Sequence, residues 1–333
     1  MLIDELTNDI DMYLGYSNLL DDKHKVIFLT ESESNINFLI DVGLEKYIFR
    51  LSKNSQLGLK NQIKYEYDAL KILEKSYVTP RTFFLDDSTT FFDYGVLIMQ
   101  YIKGRRLEYQ RDFHEVAKTF GKIHSLNLDK IDVSNFIVRD DIIEDCLEKS
   151  RINLKNFFKS PKIDADVKIK INDFLEWGEK NKKCKKFFEK DKWQVINNTE
   201  PHLDNFIISD RNRKAYLLDW EKPVIADPSI ELSYFLSPIT TMWTGDYAFS
   251  EDEKDDFFKT YIMYLDKRDR DIVERVKIYT PYICLKELSK LANRLWIYEH
   301  DTDINTDINE YKKLKEYINL EFMEYLTKNY NLY

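Results

Sequence analysis

The fold is decided by Val195-Ile196-Asn197-Asn198-Thr199-Glu200-Pro201-His202-Leu203-Asp204-Asn205-Phe206-Ile207-Ile208 and, after a charged break, Ala215-Tyr216-Leu217-Leu218-Asp219-Trp220-Glu221. A short apolar run enters a polar loop. Two further runs, Phe206-Ile207-Ile208 and Ala215-Tyr216-Leu217-Leu218, are apolar and partly β-branched, and Ser209-Asp210-Arg211-Asn212-Arg213-Lys214 lies between them. That pattern reads as two strands joined by a charged turn. Asp219 stands at the end of the second run, so a carboxylate at 200, a carboxamide at 205 and a carboxylate at a strand end follow one another in the chain.

Phosphoryl transfer from a nucleotide asks for those groups. The protein has little covalent work to do beyond placing a hydroxyl in line and neutralising charge on the phosphates. One carboxylate orients or deprotonates the hydroxyl, a carboxamide and a second carboxylate hold hard Mg²⁺ through oxygen, and a cation steadies the phosphates. Glu200 suits the first task; Asn205 and Asp219 suit the second.

The loop, the Asp219-Trp220-Glu221 segment and the following Ala226-Asp227-Pro228-Ser229-Ile230-Glu231-Leu232 resemble the aminoglycoside phosphotransferase and choline kinase family. That family carries a loop of the form His-Gly-Asp-Leu-His-Pro-Gly-Asn. His202 and Asn205 match it, whereas Asn198 replaces the first histidine and Glu200 replaces the catalytic aspartate. The resemblance implies a protein-kinase-like α+β fold, with a small antiparallel sheet and one helix in an N-terminal lobe and a mainly helical C-terminal lobe. It also implies ATP and Mg²⁺ as cofactors and a small-molecule alcohol as acceptor.

The first hundred residues fit such a lobe. Val26–Leu29, Ile36–Val42, Tyr47–Leu51, Thr82–Leu85 and Gly95–Tyr101 are short β-branched or aromatic runs, which predict five strands. Arg50 shares a strand face with Ile48 by alternation. Glu66 lies on a helix spanning Asn61 to Leu73 with Ala69, Leu70 and Leu73 at its i+3, i+4 and i+7 positions, so its carboxylate needs a partner. The resemblance makes Arg50 that partner and gives the pair to the ATP phosphates. It makes Leu97–Gly104 a hinge in which Met99, Gln100 and Tyr101 meet the adenine. The Thr30–Asn35 turn, where a phosphate-covering loop would lie, contains no glycine.

From Phe113 the period becomes helical. Phe113, Val116, Ala117, Phe120 and His124 recur at three- and four-residue spacing, and His124 reads as a core residue. Residues 139–190 are helical and charged; the basic run Lys180–Lys190 reads as a solvated face. Beyond Glu231 further helices fill the second lobe. Their acidic stretch Glu251–Asp256 is open to two readings, a helix-start charge or a surface for a cationic acceptor. Asp227, beside Pro228, reads as a brace for the catalytic loop.

Composition removes other classes. The 333 residues are 43% hydrophobic and 14% aromatic, which excludes disorder, and no apolar run approaches the ~20 residues that span a bilayer. A net charge of -9 argues against a general nucleic-acid binder. The acidic N-terminus is no secretory signal, and three dispersed cysteines make neither a disulfide framework nor a metal cluster, so the expectation is a cytoplasmic protein with reduced thiols. The expected division is a nucleotide-binding lobe over 1–101 and a helical catalytic and acceptor-binding lobe over 102–333, in a monomer or homodimer. Two functions compete: a small-molecule kinase, and a nucleotide-binding pseudokinase or regulatory module suggested by the altered loop. The residues name neither the acceptor nor ATP over GTP.

Overall fold

A computed structural model describes residues 3–17, 19, 23–55, 57–266, 269–300 and 307–330. The chain opens with helix α1 (Ile3–Ser17), strands β1 (Lys25–Glu31), β2 (Asn35–Asp41) and β3 (Lys46–Ser52), helix α2 (Gln62–Leu73), and strands β4 (Thr82–Asp86), β5 (Gly95–Gln100) and β6 (Gly104–Arg106). Helices α3 (Tyr109–His124), α4 (Ile142–Lys159), α5 (Ala165–Asn181) and α6 (Lys185–Lys190) follow. Strands β7 (Val195–Asn197), β8 (Phe206–Ser209), β9 (Ala215–Leu217) and β10 (Val224–Ala226) come next. The chain ends in helices α7 (Ser229–Leu236), α8 (Pro238–Gly245), α9 (Glu251–Met263), α10 (Ile272–His300), α11 (Ile308–Tyr317) and α12 (Leu320–Tyr330). The five expected N-terminal strands, the single helix between them and the helical C-terminal part are all present. Among the described residues no helix is long and apolar enough to cross a membrane.

Packing divides the chain into two compact units. The first comprises Met1–Glu108, Asp112–Ile137 and Asp204–Pro223, and the second Tyr109–Arg111, Val138–Leu203 and Val224–Tyr333.

In the first unit an antiparallel sheet runs in the order β1-β2-β3-β5-β4. Its alternating residues Phe38, Ile40, Phe49, Leu51, Val96 and Ile98 bury one face against Leu6, Ile10, Tyr13 and Leu14 of α1. Those four recur at i, i+4, i+7 and i+8, the stripe of an amphipathic helix. Asn61 caps α2, its side chain accepting from the Lys64 N–H at 3.1 Å. A second sheet, β6-β8-β9, contains the expected hairpin, with Phe206 opposite Leu217 and Ile208 opposite Ala215. Gly104 faces Ser209 across the β6–β8 ladder, and a Cβ there would lie 2.2 Å from the Ile208 carbonyl oxygen. His124 is fully buried and stacks on Phe120, whose ring meets Phe206 edge-on.

In the second unit β7 and β10 form a short antiparallel ribbon, and α10 packs along α4 and α7. The Glu251–Asp256 stretch begins α9, where Ser250 and Glu253 form a reciprocal capping box. Acidic residues there complement the helix N-terminus, so the first reading of this stretch accounts for it. The basic run over α5 and α6 is exposed and meets acidic neighbours, with Lys182 near Glu179 at 3.1 Å and Lys185 near Asp141 at 2.6 Å.

Candidate functional site

Within the first unit a cavity of about 260 Å³ is bounded by Leu29, Ile48, Leu70, Met99, Tyr101 and Leu218 on its apolar sides, with Arg50, Glu66 and Asp219 also on its wall. Strand register explains the assembly. On β3, Arg50 lies between Asn37 of β2 and Leu97 of β5, and alternation turns it to the same side as Ile48. Its guanidinium pairs with the Glu66 carboxylate of α2, donates from Nε to Asn37 Oδ1 at 3.0 Å, and stands 3.8 Å from Asp219. Glu66 is 1% exposed and Arg50 8%, so the pair is desolvated.

The hairpin brings Asn205 and Asp219 together. The Leu218 N–H donates to the Asn205 carbonyl at 2.7 Å, closing the open end of β8–β9, and Asn205 Nδ2 then lies 3.3 Å from Asp219 Oδ2. Asp219 takes a left-handed backbone, φ 57°, which aspartate tolerates better than most residues. Buried Trp220 locks that turn, its indole N–H donating to the Leu217 carbonyl at 3.0 Å. Two residues fourteen apart in sequence thus bring a carboxamide and a carboxylate side by side, the amide nitrogen turned toward the carboxylate. That donor set suits a hard divalent cation.

Charge in the unit points the same way. Glu221 is buried and accepts from Asn35 Nδ2 at 2.6 Å, so three carboxylates, those of Glu66, Asp219 and Glu221, surround the Arg50 guanidinium. Burial pushes the Glu66 carboxyl above the usual range; Arg50 pulls it back, and Asp219 and Glu221 push it up again. Burial and then Asp219 likewise raise Glu221. Glu66 Oε2 is buried without a hydrogen-bond partner among the described residues. Two buried carboxyls and the partly exposed Asp219 against one guanidinium leave negative charge in excess, which fits an added cation.

Met99, Gln100 and Tyr101 line the cavity where β5 ends. The Gln100 N–H already donates to the Arg81 carbonyl at 2.7 Å, and the Gln100 side-chain oxygen accepts from the Arg81 N–H at 3.3 Å. The main-chain N–H of Gln100 is therefore committed within the sheet.

Glu200 belongs to the second unit. Its loop is fixed at Asn197 and Asn198. The Asn197 side chain donates to the Val195 and Ala226 carbonyls at 3.2 and 3.0 Å, and the Asn198 N–H donates to Glu231 Oε2 at 2.8 Å. Glu231 of α7 thus touches the loop. Asp227, expected to brace it, instead accepts from the Ser229 N–H at 3.0 Å and pairs with the buried Arg275. The Glu200 carboxylate forms an ion pair with Lys290 and lies 3.7 Å from Lys286, both on α10. Sequence reasoning missed Asn37, Glu221, Lys286 and Lys290. Strand register would have found Asn37, which faces Arg50; the lysines lie some ninety residues from their partner with no local signal.

No protein-family model matches the chain, and no curated protein sequence does. Solved structures do match over nearly the whole length. A protein from Ralstonia eutropha described as an aminoglycoside phosphotransferase superposes with a TM-score of 0.69 at 13% identity, covering 97% of this chain and 98% of its own. A choline kinase from Cryptosporidium parvum gives 0.61 at 18% identity over 98% and 96%. A spectinomycin phosphotransferase in complex with ADP and spectinomycin gives 0.59 at 13% identity over 94% of each chain. At these identities the likeness is one of fold: the chain has the α+β fold shared by aminoglycoside phosphotransferases and choline kinases.

Proposed function

We propose that the protein is an ATP- and Mg²⁺-dependent phosphotransferase acting on a hydroxyl group of a small molecule. The observation that carries this reading is the first unit's cavity, apolar on its sides, with an Arg50–Glu66 pair and the adjoining Asn205 carboxamide and Asp219 carboxylate. Apolar walls suit a purine base, which the main-chain groups of Tyr101 and Ile102 would then orient, since the Gln100 N–H is committed to Arg81. Arg50, held by Glu66 and Asn37, would bind phosphate oxygens without reorganising. Asn205 and Asp219 would hold the metal. Bound there, Mg²⁺–ATP supplies the phosphoryl group and neutralises its developing charge. Glu200, five residues before Asn205 in the chain, would take the proton of the acceptor hydroxyl. Spectinomycin and choline appear in the names of proteins with this fold, which supports a small alcohol as acceptor.

The test is ATP consumption with a panel of hydroxyl-bearing metabolites, run on the full chain and on Glu200→Gln. Turnover with one acceptor class, falling by about 10² or more in Glu200→Gln, supports the reading. Mg²⁺-dependent nucleotide binding without turnover on any acceptor would leave a nucleotide-binding module instead.

A further inference from the structure

Three charged side chains of α10, Lys286, Glu287 and Lys290, gather about Glu200 in the second unit. Lys286 and Lys290 stand one turn apart on α10, and both approach Glu200 Oε1. Glu287 lies between them in sequence and answers both, at 3.1 Å to Lys286 and 3.2 Å to Lys290. The Lys286 side chain is 9% exposed, and its ammonium sits 5.9 Å from the centre of the Tyr234 ring on α7. From α4, Cys146 and Lys149 face the same ammonium. Burial alone would lower the Lys290 pKa; Glu287 and Glu200 more than offset it, so Lys290 is charged. Desolvating Lys286 and Glu287 is costly, and apolar residues of similar volume would pack that part of α10 as well or better.

We propose that Lys290, supported by Lys286, positions Glu200: the lysine pair grips one carboxylate oxygen and keeps the group ionised and aimed as proton acceptor. The claim rests on the kinase reading of Glu200. It also gives the glutamate a reason. An aspartate at 200 would draw its carboxylate back by about one bond length, enough to part it from α10 at hydrogen-bonding range. Glu287 acts in turn by holding the two lysines, which would otherwise repel each other across a single helical turn. Lys290 is thus a positioning residue, acting through Glu200.

Two measurements test it. The first is the pH profile of Mg²⁺–ATP turnover, with water or an identified alcohol as acceptor, in wild type, Lys290→Met, Lys290→Gln and Lys290→Arg, each checked for folding by circular dichroism. A base must be ionised, and an opposite charge in contact favours ionisation. Removing Lys290 should therefore move the acid limb upward by about one pH unit or more, while Lys290→Arg restores it. In a Glu200→Asp background the same Lys290→Met change should leave the limb unmoved, because the pair is already parted. An acid limb at the wild-type position in both neutral variants overturns the proposal. The second measurement needs no turnover: carbon-13 titration of side-chain carboxyls in the full chain, with Glu200 assigned by its loss in Glu200→Gln. A Glu200 titration that Lys290→Met leaves unchanged also overturns the proposal. A wild-type chain that turns over no ATP, yet shows the titration shift, refutes the kinase reading and leaves the lysine grip standing.

Discussion

Replacing Arg50 by methionine removes the cation that Glu66 requires. The Glu66 carboxylate is 1% exposed, lies on the apolar face of α2, and already has one oxygen without a partner among the described residues. Without Arg50 the carboxyl cannot stay charged there, so it takes up a proton. Burial and the neighbouring carboxylates already hold it up to about 7 with Arg50 in place, so at pH 9 taking up the proton spans about 2 pH units at about 1.36 kcal/mol each, close to 3 kcal/mol. That figure sits at the lower edge of the cost of breaking a buried pair. In a domain of 150–250 residues it corresponds to a fall in Tm of roughly 6–12 °C. The sign with pH follows from the same carboxyl. At pH 7 the wild-type carboxyl is already about half protonated and the same arithmetic leaves about 0.4 kcal/mol, so most of the deficit should vanish as pH falls to 7. Arg50→Met with Glu66→Gln should recover most of the pH 9 stability while nucleotide binding stays lost, because the cation proposed to bind phosphate is absent in both variants. The assay is thermal unfolding at pH 7 and pH 9 with calorimetric nucleotide titration. A Tm deficit equal at the two pH values, or none at either, would show that Arg50 does not hold Glu66.

Other consequences are more local. Burial raises the Cys146 and Cys284 thiols from 9.0 to about 12, so both should resist alkylation in the native chain at pH 8 while the less buried Cys184 labels first, as read by mass spectrometry. Their folded values lie above the unfolded ones; the stability they contribute is complete below pH 9 and should erode as pH rises above it, which alkaline unfolding curves would show. Gly104→Ala places a methyl group against the Ile208 carbonyl across the β6–β8 ladder, and should lower both Tm and nucleotide affinity; an unchanged Tm would mean the ladder yields without cost.

Much of the fold was legible because its signals are local. The β-branched runs at 36–42, 47–51 and 95–101 coincide with β2, β3 and β5 to within a residue at most ends, since alternation and turn residues mark strands whatever their partners. The Phe206–Leu218 hairpin was readable for the same reason. Helix α1, a second helix on the N-terminal sheet beyond the one expected, carries the stripe Leu6, Ile10, Tyr13 and Leu14 at helical period. Strand β10 is three residues long, Val224-Ile225-Ala226, too short to display a period. The candidate site divides along the same line. Residue types at 205 and 219 point to a cation on their own, whereas the grip of Lys290 on Glu200 and of Glu231 on Asn198 depends on helices that return to the loop after long stretches of chain. The left-handed turn at Asp219 is set by the burial of Trp220, which no one-dimensional pattern encodes.

The most direct test of the account is a calorimetric titration of ATP into the full chain, with Mg²⁺ present and with it chelated, repeated on Asp219→Asn. The arrangement of Asn205 and Asp219 beside the Arg50–Glu66 pair predicts an affinity at least about tenfold higher with the metal, a difference of about 1.4 kcal/mol or more, that largely disappears in the variant. Equal affinity with and without Mg²⁺, or no binding in either condition, would contradict it.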